Sequence, residues 1–180
     1  MADQTAGLLS PWLRKQRIQM ARPYLQGRVL DYGCGVGALA ALCQPDAYVG
    51  VDIDREALAI ARSNHPQFQF LSEVAETEQF DTIVALAVIE HVADPMVLFT
   101  KFKRMLRRGG HVVLTTPHPS VEWIHTLGAR IGLFSREASG EHQQLIDFAR
   151  MQTYATQSGL VLEKYTRFLL GANQLFVCHA

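Results

Sequence analysis

The sequence predicts an α/β domain in which a mostly parallel sheet is covered by helices on both faces. Short apolar stretches that fit buried strands alternate with amphipathic stretches that fit helices. The first predicted strand also runs directly into a glycine-rich turn, Gly33 to Gly37, which is typical of ligand-binding α/β proteins. Strands separated by helices pair in parallel and are buried on both faces, so continuous apolar runs are expected.

The first half of the chain supplies two longer helices and three strands. Ser10 and Pro11 fit an N-cap and a first helical position, and this helix should stop before Pro23. Asp54 is the expected N-cap of the second long helix, which runs to about residue 63. The predicted strands are 28–32, 48–51 and 68–71, and a short helix to about residue 43 is expected after the glycine turn.

The second half supplies the remaining elements. Asp94 and Pro95 start a helix that Gly109 should end. The connection 72–79 is too short for a crossover helix, so it is expected to be a nearly extended loop. The other predicted elements are strands 80–86 and 111–115, a helix over 145–157, and strands 160–168 and 174–179.

Composition limits the class of protein. The 180 residues suit one domain, and 17 basic against 17 acidic residues give no net charge. No basic surplus or stripe supports nucleic-acid binding. Three cysteines without a C-x-x-C pair suit a reducing compartment, and no apolar run or leader pattern predicts an integral membrane segment or export. We therefore expect a cytoplasmic protein.

The glycine turn and the next strand together indicate a cofactor site. Glycines permit close approach of a ligand, and Asp52 at the end of strand 48–51 can accept hydrogen bonds from a ribose diol. Gly33, Gly35 and Ala38 satisfy the G-x-G-x-x-A pattern of a pyrophosphate site, which leaves nicotinamide binding open. Gly37 gives the alternative pattern G-x-G-x-G.

Three segments in the same order resemble a known family, the class I S-adenosylmethionine-dependent methyltransferases. Val29 to Gly37, with Asp31 at the strand end, is similar to motif I of that family. Residues 88–95 resemble the EHV-x-DP segment of its type 11 branch, and residues 106–117 resemble its L-x-x-G-G turn and fifth strand. The similarity is strongest to ubiquinone-biosynthesis O-methyltransferases. It implies a Rossmann-like seven-stranded sheet of order 3-2-1-4-5-7-6 with strand 7 antiparallel.

The resemblance also implies a set of site residues and a domain plan. The cofactor would be S-adenosyl-L-methionine, and the other partner would be a small-molecule methyl acceptor. One domain would span 1–180, with residues 1–25 as a helical cap and 118–144 as a substrate lid. The implied cofactor-binding residues are Asp31, Gly33, Cys34, Gly35, Gly37, Asp52, Ile53, Glu73, Val74 and Ala87.

No metal site is predicted, although Glu90 and His91 raise the question. Some ubiquinone O-methyltransferases resemble E-x-x-E-H at this point, whereas Ala87 replaces the first carboxylate here. Two neighbouring ligands make a poor divalent site. Imidazole suits general-base chemistry near neutral pH, and His142 and His91 are the favoured candidates to deprotonate a hydroxyl. His118 and His125 are further candidates for this role.

The predicted activity is methyl transfer to a small molecule, and a hydroxyl oxygen is the expected attacked atom. One alternative is a non-catalytic protein of the same fold that binds the cofactor as a scaffold or regulator. Another is a nicotinamide-dependent reductase. The chain offers no Tyr-x-x-x-Lys pair at Tyr154 or Tyr165, which disfavours that reductase.

Overall fold

The computed structural model describes residues 10–121 and 146–180, and these form a single sheet with helices on both faces. The sheet has seven strands in the order β3-β2-β1-β4-β5-β7-β6, as predicted. The strands are β1 Val29–Tyr32, β2 Tyr48–Val51, β3 Gln69–Leu71, β4 Phe80–Leu86, β5 Leu106–Pro117, β6 Val161–Phe168 and β7 Asn173–His179. The α-helices are α1 Ser10–Ala21, α2 Arg55–Asn64, α3 Pro95–Met105 and α4 Phe148–Gln157.

The strand pairing places the ends of several strands at one edge of the sheet. Strands β1 to β5 pair in parallel, whereas β7 is antiparallel to both β5 and β6. The carboxyl ends of β1, β2, β4 and β5 therefore meet at one edge, and the start of β7 joins them because Asn173 pairs with Pro117. Ligands of open α/β sheets bind outside this edge.

Each face of the sheet has its own hydrophobic core. Helices α1 and α2 cover one face with Ile18, Leu58 and Ala61, while α3 and α4 cover the other with Phe102 and Met151 among their buried residues. The predicted N-caps of α2 and α3 are confirmed. Asp54 accepts hydrogen bonds from the second and third residues of α2, and Asp94 does the same for α3.

The short helix predicted after the glycine turn is wrong. Turns follow Gly33, and only two 3₁₀ segments, Ala40–Leu42 and Pro45–Ala47, are present before β2. Gly35 and Gly37 have φ of +52° and +78°, values that a right-handed α-helix does not accommodate. The backbone bonds from Gly37 to Cys34 and from Ala40 to Gly37 instead close tight i to i−3 turns.

Helix α3 also ends earlier than predicted, at Met105 rather than Gly109. Leu106 is already extended because it pairs with Phe80 at the start of β4. The register of this pair then shifts, so that Thr82 faces His111 and the residues between form a bulge containing Gly109 at φ +76°. Pairing with the sheet therefore overrides the helical pattern of these residues.

The connection between β3 and β4 contains no crossover helix, as predicted. Val74 in this segment is buried in the core that α3 and α4 cover. Most of the segment expected to act as a lid, 118–144, lies outside the described residues, and His125 and His142 fall there too. Within the described ranges, no helix is long and apolar enough to cross a membrane.

Candidate cofactor-binding site

The three glycines of the turn are needed for different physical reasons. All three have positive φ: +76° at Gly33, +52° at Gly35 and +78° at Gly37. A Cβ on Gly33 would collide with a methyl group of Val88, and one on Gly37 would lie 2.7 Å from the Phe70 ring. A Cβ on Gly35 would meet no atom within 4 Å. Gly33 and Gly37 therefore permit packing, whereas Gly35 leaves open space beside the turn.

Asp52, directly after β2, is bonded to the glycine turn. Its Oδ2 accepts a hydrogen bond of 2.7 Å from the Gly35 backbone N–H, and its Oδ1 accepts one of 2.9 Å from the Asp54 N–H. The carboxylate is partly exposed. Each carboxylate oxygen can accept more than one hydrogen bond, so Asp52 retains capacity for a hydroxyl ligand.

A cavity of about 250 Å³ lies between α1 and the glycine turn. Its polar groups have opposite charges, with Arg14 and Arg17 of α1 on one side and Asp31 of β1 on the other. The remaining lining is mostly glycine and apolar: Ile18, Gly33, Cys34, Gly35, Val36, Ala38, Leu39 and Leu86. The cavity thus suits a small group that carries both a positive and a negative charge.

Asp31 is nearly inaccessible, with 3% of its surface exposed. The pKa of this carboxyl is raised from 3.8 to about 7, chiefly by burial and in smaller part by the nearby Asp52 charge, while a hydrogen bond from Tyr48 opposes the shift. The Tyr48 hydroxyl donates this bond over 2.8 Å. A cationic group in the cavity would favour the charged form of Asp31.

The other residues expected to bind cofactor occupy varied environments. Cys34 is buried, and burial above all raises the pKa of its thiol, so it stays protonated. Ile53 is 92% exposed although it is apolar, and Glu73 is exposed as well. Val74 is in the core, so only its backbone is available to a ligand. Ala87 has φ +59°, and its N–H donates to the Thr115 carbonyl.

Glu90 is one of several buried polar residues at the edge of the sheet where the carboxyl ends of the parallel strands meet. It is 5% exposed, and burial raises the pKa of its carboxyl, while the positive charges of Arg17 and His91 lower it. Oε2 of Glu90 and Oγ1 of Thr115 have no hydrogen-bond partner among the residues that the structure describes. Arg17 donates from Nε to Oδ1 of Asn173 over 3.0 Å.

The described part of the structure contains only one of the two favoured catalytic histidines. His91 is exposed, and His142 lies outside the described residues. His118 follows β5, and its Nδ1 accepts a hydrogen bond of 3.1 Å from the Ser120 backbone N–H. Burial and Arg167 lower the pKa of His118. With Nδ1 acting as an acceptor, the neutral ring carries its proton on Nε2.

Metal ligation has no support within residues 10–121 and 146–180, where no three His, Cys, Asp or Glu side chains are grouped for an ion. Glu90 and His91 follow one another in the 3₁₀ segment Ile89–His91, but one is buried and the other exposed. The two side chains therefore face different surroundings.

Sequence reasoning missed Arg14 and Arg17 as site residues. They are three positions apart, so they lie on one side of α1, and both line the cavity. This spacing is visible in the sequence. Nothing in the sequence, however, indicates which side of α1 packs beside the glycine turn.

The sheet order, the glycine turn and the acid after β2 together define the class I S-adenosylmethionine-dependent methyltransferase fold. Comparison with known proteins agrees, because residues 7–165 match the methyltransferase domain family. Since this match covers most of the chain, the protein belongs to that family. Membership favours a methyltransferase over both alternatives, the nicotinamide-dependent reductase and the non-catalytic scaffold.

Among its relatives are two ubiquinone biosynthesis O-methyltransferases. The protein from Alkalilimnicola ehrlichii is 32% identical over 155 residues, which are 77% of this chain and 62% of the relative. The protein from Haemophilus ducreyi is 30% identical over 173 residues, or 85% of this chain and 73% of the relative. The chain thus spans about three fifths of the first relative's length.

A solved structure shares the fold across nearly the whole chain. It is a magnesium protoporphyrin IX methyltransferase from Synechocystis PCC 6803 with bound S-adenosylhomocysteine. The TM-score is 0.72 at 17% identity, and the alignment covers 99% of this chain and 90% of that one. At this identity the likeness establishes the fold alone.

Proposed function

We propose that this protein transfers a methyl group from S-adenosylmethionine to a small-molecule acceptor, with a hydroxyl oxygen as the attacked atom. One arrangement supports this most directly: a cavity with charges of both signs adjoins a glycine turn that is bonded to the carboxylate of Asp52. A nucleoside joined to an amino acid matches that combination. Its amino-acid end is a zwitterion, and its ribose carries a diol.

The cavity is assigned to the amino-acid end of the cofactor. Asp31 would bind the ammonium group, and Arg14 and Arg17 would bind the carboxylate. Asp52 does not line this cavity but is joined to it through Gly35, so the ribose would lie over Asp52. Gly35 leaves room for the part of the cofactor that joins its amino-acid end to its ribose.

The adenine is assigned to the surface beyond Asp52. Ile53 offers an exposed apolar side chain immediately after the ribose-binding carboxylate. Glu73 and the backbone of Val74 come just after β3, the next strand in the sheet. An exposed carboxylate such as Glu73 can accept a hydrogen bond from an exocyclic amine.

The bound cofactor supplies an electrophilic methyl group on a positively charged sulfur. The acceptor oxygen forms a bond to that methyl carbon while the carbon–sulfur bond breaks, and the hydroxyl proton leaves to a base or to solvent. The chain contributes mainly by holding the reacting atoms in line. His142 and His91 remain our predicted bases, and Ala87, directly after β4, remains a predicted cofactor contact.

Calorimetric titration with S-adenosylhomocysteine, S-adenosylmethionine and NADH tests the cofactor assignment. We expect both adenosyl ligands to bind and NADH not to bind. Binding of NADH alone would overturn the proposal. Transfer of a labelled methyl group to a panel of small hydroxylated compounds tests the activity, and cofactor binding without transfer to any of them would favour the non-catalytic scaffold.

A further inference from the structure

Two groups from distant parts of the chain act on Arg17 at the cavity, Asn173 through a hydrogen bond and Glu90 through its charge. The Nε of Arg17 donates to Asn173, the first residue of β7, which is 156 positions away. The carboxylate of Glu90, in the segment after β4, acts on the same guanidinium through its charge. Arg14, one turn earlier in α1, is exposed. The two arginines of the cavity therefore differ in environment, because Arg17 is hydrogen-bonded and partly buried whereas Arg14 is exposed.

Placing Arg17 there has an electrostatic cost. Burial lowers the pKa of its guanidinium, and the Glu90 charge opposes that shift. An arginine on a helix surface ordinarily extends its charged end into water. The hydrogen bond to Asn173 holds this side chain among partly buried groups instead.

Glu90 carries a desolvation cost that a hydrogen bond with Thr116 offsets only in part. It is buried, and its Oε2 has no hydrogen-bond partner in the described ranges. A buried charge with an unsatisfied oxygen destabilises a folded protein. A neutral side chain of the same size would carry a smaller desolvation cost. The Arg17 charge lowers the pKa of this carboxyl, so what Glu90 can contribute at the cavity is a negative charge that acts on Arg17.

We propose that Glu90 and Asn173 are positioning residues that hold the Arg17 guanidinium in the cavity, where it binds the carboxylate of the cofactor. This inference rests on the proposed function. A guanidinium has five N–H donors, and the bond to Asn173 uses the one on Nε. The two terminal nitrogens remain available for a carboxylate, which they can bind in a bidentate manner.

The test compares two ligands that differ only in the part Arg17 would bind. S-adenosylhomocysteine has the amino-acid end, whereas 5′-methylthioadenosine keeps adenosine and sulfur but lacks it. In Glu90→Gln the side chain keeps its shape and loses its charge. We expect this variant to bind S-adenosylhomocysteine about three- to tenfold more weakly, and methylthioadenosine within about twofold of wild type.

Two further variants complete the measurement. Asn173→Ala removes the acceptor for Nε and should show the same ligand-selective loss, so it carries the test if Glu90→Gln does not fold. In an Arg17→Met background, Glu90→Gln should cause no additional loss, because the residue it acts on is gone. Glu76→Gln is the matched control, since it removes an exposed carboxylate that pairs with Arg104.

Each remaining outcome is decisive. Equal weakening of both ligands, unchanged binding of S-adenosylhomocysteine, or a full additional loss in the Arg17→Met background would overturn the positioning role. Failure of the proposed function looks different, because the wild-type protein itself would then bind S-adenosylhomocysteine no more tightly than methylthioadenosine, or bind neither.

Discussion

The Asp52 carboxylate accepts a 2.7 Å hydrogen bond from the backbone N–H of Gly35, although the two residues lie on different loops of the sheet edge. A second bond, from the Asp54 N–H, holds its other oxygen at the start of α2. Asp52 therefore fixes the geometry of the glycine turn as well as offering an acceptor to a ligand. Its removal should affect both.

Replacement of Asp52 by alanine is expected to weaken binding of S-adenosylhomocysteine by about 1.5–3 kcal/mol, because hydrogen bonds to a charged group are lost. Methylthioadenosine should lose a comparable amount, since it retains the ribose. Calorimetry with both ligands measures this. Asp46→Ala, at an exposed carboxylate in the 3₁₀ segment before β2, is the control. Unchanged affinity would mean that the ribose binds elsewhere.

The raised pKa of Asp31 predicts a pH-dependent affinity. Near pH 6 most of this carboxyl is protonated, because its pKa is about 7. An ammonium group in the cavity favours the carboxylate, so binding should release a proton, and affinity should rise as pH increases to about 8 and then level off. Titrations in buffers of different ionisation enthalpy measure the release. Asp31→Asn should abolish it, and methylthioadenosine should not show it.

The stability of the folded protein should also depend on the ionisation of Asp31, but here the contribution should fall as pH rises. The folded protein holds the Asp31 proton to about pH 7, whereas an unfolded chain loses it near pH 3.8. Between these values the folded state binds more protons, so this residue's contribution to stability falls as pH rises. Urea unfolding at several pH values should show that Asp31→Asn is more stabilising, relative to wild type, at pH 8 than at about pH 4. An equal effect at both pH values would contradict the raised pKa of the Asp31 carboxyl.

Alanine at Gly37 and at Gly35 should have different consequences. At Gly37 the new Cβ would lie 2.7 Å from the buried Phe70 ring and 3.2 Å from Ala61, so we expect a loss of about 2–4 kcal/mol in unfolding free energy. At Gly35 only the backbone conformation opposes alanine, at about 1–2 kcal/mol. Gly35→Ala should instead reduce ligand affinity. Denaturant unfolding and calorimetry separate the two, and equal stability losses would contradict this assignment.

The hairpin between β6 and β7 offers a stabilising substitution. Leu170 has φ +54° and a fully exposed side chain, so its left-handed backbone conformation costs free energy that no side-chain packing offsets. Asparagine tolerates this conformation, and Leu170→Asn should raise the unfolding free energy by about 0.5–1 kcal/mol. Val161→Asn, at an exposed position in β6, should not stabilise the protein. A destabilised Leu170→Asn protein would contradict this prediction and would show that the leucine side chain stabilises the hairpin.

Much of the architecture follows from local patterns that act over a few residues. Apolar runs identified the strands, and Asp54 and Asp94 identified helix starts because an N-cap satisfies backbone N–H groups within its own first turn. The glycine turn and Asp52 were also recognisable, because both chemistry and spacing are confined to one strand–turn–strand unit. Even the absence of a helix between β3 and β4 followed from chain length alone.

The tertiary structure decided the rest, since burial and pairing depend on residues far apart in the chain. Leu106 became a strand residue because Phe80 was there to pair with it. The glycines separated into packing positions and one open position only when Val88 and Phe70 were placed against them. Arg17, Glu90 and Asn173, from α1, the segment after β4 and the start of β7, share no sequence pattern. Their electrostatic relationship exists only because the sheet topology brings those three parts of the chain to one edge.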